Sequence, residues 1–142
     1  MEMSDELKKA NDGQDELRAM LSASGYAAPA IEYYIEKKHM GEIANADHVS
    51  ELTGTCGDTM AIYLKLDGEV ISDAKYQVMG CAGAVSSAMA VVDLIKGKTL
   101  EEARKVCDGD VFGLIEDIPA KKHHCVQLSV KTLQKAMDEL KA

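Results

Sequence analysis

The sequence predicts an α+β fold: a three-stranded antiparallel sheet with helices packed on one face, preceded by an N-terminal helical extension. Three observations carry that expectation. Residues 59 to 66 alternate apolar and polar, and an Asp-Gly turn and a returning apolar run follow at once. Beyond Gly80 the apolar spacing changes from two to three and four. Strands therefore come before the main run of helices, the order of an α+β domain.

Taken in order, the first 25 residues hold six acidic and three basic side chains with little periodicity. The opening dozen reads as frayed or disordered chain, and Leu17, Met20 and Leu21 form the apolar edge of a short helix before Ser24-Gly25. Residues 1–25 are thus expected to be an acidic, partly disordered or helical extension, its acids a solvated face. Residues 26–142 are expected to form one domain. Pro29 suits a first helical turn, and Ile31, Tyr34, Ile35 and Lys38 recur at helical spacing, so an amphipathic helix ends before Gly41.

Val49 to Thr53 predicts a short first strand. Met60, Ile62, Leu64 and Leu66 face one side of the second, and Asp67-Gly68 turns the chain into a third strand from Val70 to Met79. Gly80 to Gly83 breaks that strand and opens a helix over Ala84 to Lys96, with Val85, Met89, Val92 and Ile95 inward and Gly97 as its stop. Thr99 and Glu102 form a capping box for a short helix with Leu100, Ala103 and Cys107 on one side, and Asp110 caps a further turn. Val126, Val130, Leu133, Met137 and Leu140 mark a long terminal helix from His124.

At 142 residues, 46% hydrophobic and 28% charged, the chain suits a single compact domain with no repeat or linker. Its formal charge is −8 and no Lys/Arg run exceeds two residues, so nucleic acid is not an expected partner. The polar, acidic start and the short apolar runs predict neither a secretion signal nor a membrane span, and a cytoplasmic location. There thiols stay reduced, so four cysteines and four histidines point to metal or sulfur chemistry rather than disulfides.

Cys56, Cys81 and Cys125 each lie at a junction between elements, and Cys81 and Cys125 at helix starts that favour a thiolate. Gaps of 24 and 43 residues between them do not prevent a common site at one edge of a small layer. If Cys56-Gly57-Asp58 is extended, residues two apart point the same way and thiolate and carboxylate can face one metal. Three sulfurs suit zinc, copper(I) or an iron-sulfur cluster, whereas a carboxylate is a harder, more exchangeable iron ligand, and His124 adds a nitrogen donor. Such a set differs from structural zinc, which closes with four Cys/His ligands at short paired spacings. Asp58 alone reads as a turn residue; its pairing with Cys56 makes it a ligand candidate. Cys107 is expected to pack in the core, His123 to be solvated or hydrogen-bonded, and His39 and His48 to serve no metal.

Tyr26 to Ile43 with its closing His39-Met40-Gly41-Glu42-Ile43, then Cys56-Gly57-Asp58-Thr59-Met60, Gly80-Cys81, Lys96 to Ala103, and Lys122-His123-His124-Cys125 occur in this order. In that order the chain resembles the U-type iron-sulfur scaffolds, IscU and the N-terminal domain of NifU, from about Tyr26 to Leu140. The resemblance implies assembly of a transient [2Fe-2S] cluster from iron and sulfur supplied by a cysteine desulfurase, then transfer to iron-sulfur acceptor proteins, without enzymatic turnover. It implies Cys56, Asp58, Cys81, His124 and Cys125 as cluster and metal ligands, Cys125 as the favoured persulfide acceptor with Cys56 the alternative, Asp58 as the source of cluster lability, and Lys122 as a neighbour of the metal. Zinc is a further occupant such a site could carry as isolated.

The chain departs from the family at Glu36-Lys37 and Thr53-Gly54-Thr55, and at Ile118-Pro119-Ala120-Lys121-Lys122, where housekeeping scaffolds carry Leu-Pro-Pro-Val-Lys. That last change puts a DnaK-like chaperone partner in doubt. The gap between Cys81 and Cys125 lacks the insertion of zinc-dependent sulfur-transfer relatives. The alternative function is a zinc-binding or persulfide-carrying sulfur-transfer partner or regulator of the desulfurase.

Overall fold

The computed structural model describes the backbone of residues 5–55 and 57–141 and the side chains of residues 13–55 and 57–141. Helix α1 (Asp5–Ala23) precedes α2 (Ala28–Glu36), then strands β1 (His48–Thr53), β2 (Thr59–Asp67) and β3 (Val70–Met79). Helices α3 (Ala82–Ile95), α4 (Leu100–Arg104) and α5 (Asp108–Ile115) follow, and a 3-10 turn over Ala120–Lys122 leads into α6 (His123–Leu140). The sheet is antiparallel in the order β1-β2-β3. Its inner face carries Met60, Ile62 and Leu64 of β2 and Ile71, Ala74 and Tyr76 of β3, all fully buried against the helices.

Helix α6 lies on β1 and β2 and helix α3 on β3, so the two helices stand side by side over one face. The predicted stripe of α6 holds, with Val126, Val130, Leu133 and Met137 buried and Leu140 at its edge. The buried hydroxyl of Tyr76 on β3 donates to the Ser129 carbonyl of α6 at 2.9 Å, tying the sheet to the terminal helix. The β2–β3 turn places Gly68 at its first loop position with φ +61, a left-handed conformation that glycine adopts without steric cost.

Four expectations are corrected. Helix α1 runs over Asp5–Ala23. Within it Met20 is 65% exposed and leaves the apolar edge to Leu17 and Leu21. Helix α2 stops at Glu36, since Lys37 caps it in the left-handed conformation (φ 46), and Lys38 is therefore exposed rather than on the buried face. Helix α3 is not one-faced: every residue from Gly83 to Val92 is buried, because α2, α5, α6 and β3 surround it. Cys107, expected in the core, is exposed. Helix α4 ends at Arg104, so Cys107 falls beyond its apolar stripe and becomes the N-cap of α5, where its N–H donates to Asp110 Oδ2 at 3.0 Å. Val106 takes the buried place instead.

Among the described residues no helix is long and apolar enough to cross a membrane.

Candidate metal centre

The loop between β1 and β2 is a tight turn. Gly54 N–H donates to the Asp58 carbonyl at 2.8 Å and Gly57 N–H to the Gly54 carbonyl at 3.0 Å. Gly57 has φ +88, a left-handed conformation, so the extended form on which a shared facing of Cys56 and Asp58 was conditional is not taken at Gly57. Cys56 lies outside the described residues.

The remaining predicted ligands converge from three elements. Asp58 comes from the β1–β2 loop, Cys81 from the N-cap of α3, and His124 and Cys125 from the first turn of α6. Because α3 packs beside α6, the Cys81 and Cys125 sulfurs stand 3.5 Å apart. Asp58 Oδ2 is 3.8 Å from Cys81 Sγ and 3.7 Å from Cys125 Sγ, and it accepts from whichever thiol keeps its proton. Asp58, His124 and Cys125 each offer a ligand atom, all within 4.8 Å of one another. Cys125 is fully buried, whereas Cys81, Asp58 and His124 are partly open to solvent.

The Cys81 thiol is drawn down from 9.0 to about 6. The largest cause is the hydrogen bond with Cys125, and the backbone N–H groups of Ala84 and Gly83 at the start of α3 and the Lys122 charge act in the same direction. Burial opposes them and is outweighed. Tyr26, packed nearby, has its phenol pushed up by burial first and then by the negative charge of Cys81.

Two glycines that the sequence marked only as part of the break between β3 and α3 shape these surroundings. A Cβ on Gly83 would lie 3.2 Å from Ile118 Cδ1 and 3.5 Å from Lys122 Cβ, so its absence lets the 118–122 segment close over the start of α3. A Cβ on Gly80 would lie closer still, 2.8 Å from Asp58 Cγ. Glycines flanking a cysteine were the only signal available in the sequence. His123 is hydrogen-bonded, as expected: Nε2 lies 3.1 Å from both Asp117 Oδ1 and the Ile118 carbonyl, and the ring meets Phe112 edge-on. His39 pairs with Asp93 at 2.8 Å and His48 with Glu139 at 3.1 Å.

Residues 25–142 match the NifU-like N terminal domain. The chain belongs to that family. Among its relatives, the iron-sulfur cluster assembly scaffold protein IscU 1 of Archaeoglobus fulgidus is 33% identical over 113 residues, covering 79% of this chain and 74% of the relative. The scaffold protein IscU of Escherichia coli K12 is 30% identical over 122 residues, covering 82% and 94%. This NifU-like domain also superposes on a solved structure assigned as an iron-sulfur cluster assembly scaffold protein for the SUF system, from Fervidobacterium islandicum. That match has a TM-score of 0.69 at 28% identity and covers 79% of this chain and 96% of that one. The antiparallel sheet with helices on one face is the architecture expected of the family.

Proposed function

We propose that this NifU-like domain is a scaffold on which a [2Fe-2S] cluster is assembled from iron and desulfurase-derived sulfur and then handed to acceptor proteins. The observation that carries the reading is the convergence of Asp58, Cys81, His124 and Cys125 from three elements, with two sulfurs 3.5 Å apart. The donor set suits a cargo that must leave. Thiolates hold iron and bridging sulfide strongly, while a carboxylate is the harder, more readily exchanged ligand. Cys56 completes the proposed set from the β1–β2 loop.

In this reading Cys125 accepts sulfur, with Cys56 as the alternative. The acceptor sulfur, which for Cys125 first passes its proton to the Cys81 thiolate 3.5 Å away, attacks the terminal sulfur of the desulfurase persulfide; the desulfurase thiolate leaves as the new S–S bond forms. An external donor then supplies the two electrons that reduce the transferred sulfur to sulfide. Because Cys125 is fully buried, loading requires its surroundings to open before the desulfurase persulfide can reach it. Lys122 balances the negative charge that gathers at the thiols.

Anaerobic reconstitution with iron, cysteine and a desulfurase tests this: [2Fe-2S] absorption and Mössbauer signals are expected. Tight retention of zinc with no cluster formed would overturn the reading. The clustering of Asp58, His124 and Cys125 favours a second reading, a zinc-binding or persulfide-carrying partner of the desulfurase. Mass spectrometry separates the two, since the second yields persulfide alone and the first bridging sulfide with iron.

A further inference from the structure

Gly80 joins β3 to Cys81. Its backbone is not left-handed, unlike that of Gly25, Gly41, Gly57, Gly68 and Gly97, so conformation does not demand a glycine there. Space does. A Cβ at Gly80 would lie 2.8 Å from both Cγ and Oδ2 of Asp58 and 3.2 Å from the Ala84 Cβ. That Oδ2 is the same atom that sits 3.8 Å from Cys81 Sγ and 3.7 Å from Cys125 Sγ.

Real side chains do not sustain a 2.8 Å contact of this kind, so a methyl at position 80 forces something to move. β3 cannot yield cheaply, because Met79 pairs with Thr59 at the end of the ladder. Asp58 can, because rotation about its own short side chain carries the carboxylate away from the methyl and, with it, from both sulfurs. We propose that Gly80 is a positioning residue: the space left by its missing side chain admits the Asp58 carboxylate to the two thiols. The task it gives Asp58 rests on the scaffold reading, whereas the placement itself rests on the distances above.

The test titrates cobalt(II) alone, anaerobically, into the full chain and follows the visible and sulfur-to-metal charge-transfer bands. Losing a group that holds a ligand in place typically weakens metal binding about 10- to 100-fold, and that loss is expected for Gly80→Ala, with the bands altered as Asp58→Ala alters them. In the Asp58→Ala background, adding Gly80→Ala should change the affinity by less than about twofold, because no carboxylate remains to be displaced. Wild-type cobalt binding by Gly80→Ala, or an equal further weakening in the Asp58→Ala background, would overturn the proposal. Should Gly80→Ala fold poorly, the double variant decides, since it keeps the methyl against Ala84 and removes the carboxylate. Recovered thermal stability supports the proposal and an undiminished loss contradicts it. The scaffold reading fails on a different observable, the absence of acid-labile sulfide after reconstitution, which a cobalt titration without sulfide does not touch.

Discussion

Cys81 and Cys125 hold their sulfurs 3.5 Å apart across 44 positions of sequence, one at the N-cap of α3 and the other in the first turn of α6. Two thiols this close lose the first of their two protons easily, because the thiol that remains hydrogen-bonds to the thiolate formed. The backbone N–H groups of Ala84 and Gly83 and the Lys122 charge direct the resulting negative charge to Cys81.

Metal-free protein should therefore show iodoacetamide alkylation of Cys81 with a midpoint about pH 6 rather than near 9.0. Cys125→Ala removes the largest cause and should move the midpoint upward. The sign for stability follows, because the folded thiol binds its proton less tightly than the unfolded one. Stability rises with pH between about 6 and 9.0, and this contribution is lost as pH falls through about 6. Denaturant titrations across that window check it, and a flat profile would contradict the assignment.

Asp58→Ala should make the cluster harder to release. With its exchangeable oxygen ligand gone, the cluster should survive longer in air and pass more slowly to an apo-ferredoxin. Equal lifetimes and transfer rates for wild type and variant would remove Asp58 from that role.

Cys125→Ser should abolish or strongly reduce sulfur loading by a cognate desulfurase, while Cys107→Ser should keep loading and cluster assembly. Cys107 is exposed at the start of α5, where its Sγ donates to Asp110 Oδ2 at 3.4 Å rather than to any of the converging ligands. Peptide mapping of the persulfide decides the matter. A label found mainly on Cys107, or undiminished in Cys125→Ser, would reassign the acceptor.

Tyr76→Phe should cost about 1 kcal/mol, the net worth of one buried neutral hydrogen bond. The loss should reach the site, because Tyr76 lies on the strand that leads to Cys81 and Ser129 lies one turn beyond Cys125. Denaturant unfolding gives the cost, and hydrogen exchange of α6 shows whether its first turns loosen.

The strands were legible because period-two alternation at Met60, Ile62 and Leu64 reports burial on one face directly. The capping box at Thr99 and Glu102 was equally local, and it is present. What was not legible depends on partners far away in sequence. The all-round burial of α3 follows from four neighbouring elements, and the left-handed cap at Lys37 carries no glycine to announce it. Cys107 was misplaced because a short helix stopped one turn earlier than its stripe implied. At the site, the cysteines betrayed themselves by standing at junctions. Gly80, by contrast, shows its purpose only when Asp58 is seen beside it.

Asp58, Cys81, His124 and Cys125, with Cys56, are proposed to hold an iron-sulfur cargo. The direct measurement is the content of iron, zinc and acid-labile sulfide in protein purified anaerobically after loading with iron and a desulfurase. Iron and sulfide are expected in equal amounts, both lost when Cys81 and Cys125 are replaced together by serine. Stoichiometric zinc without sulfide, or iron and sulfide retained by that double variant, would contradict it.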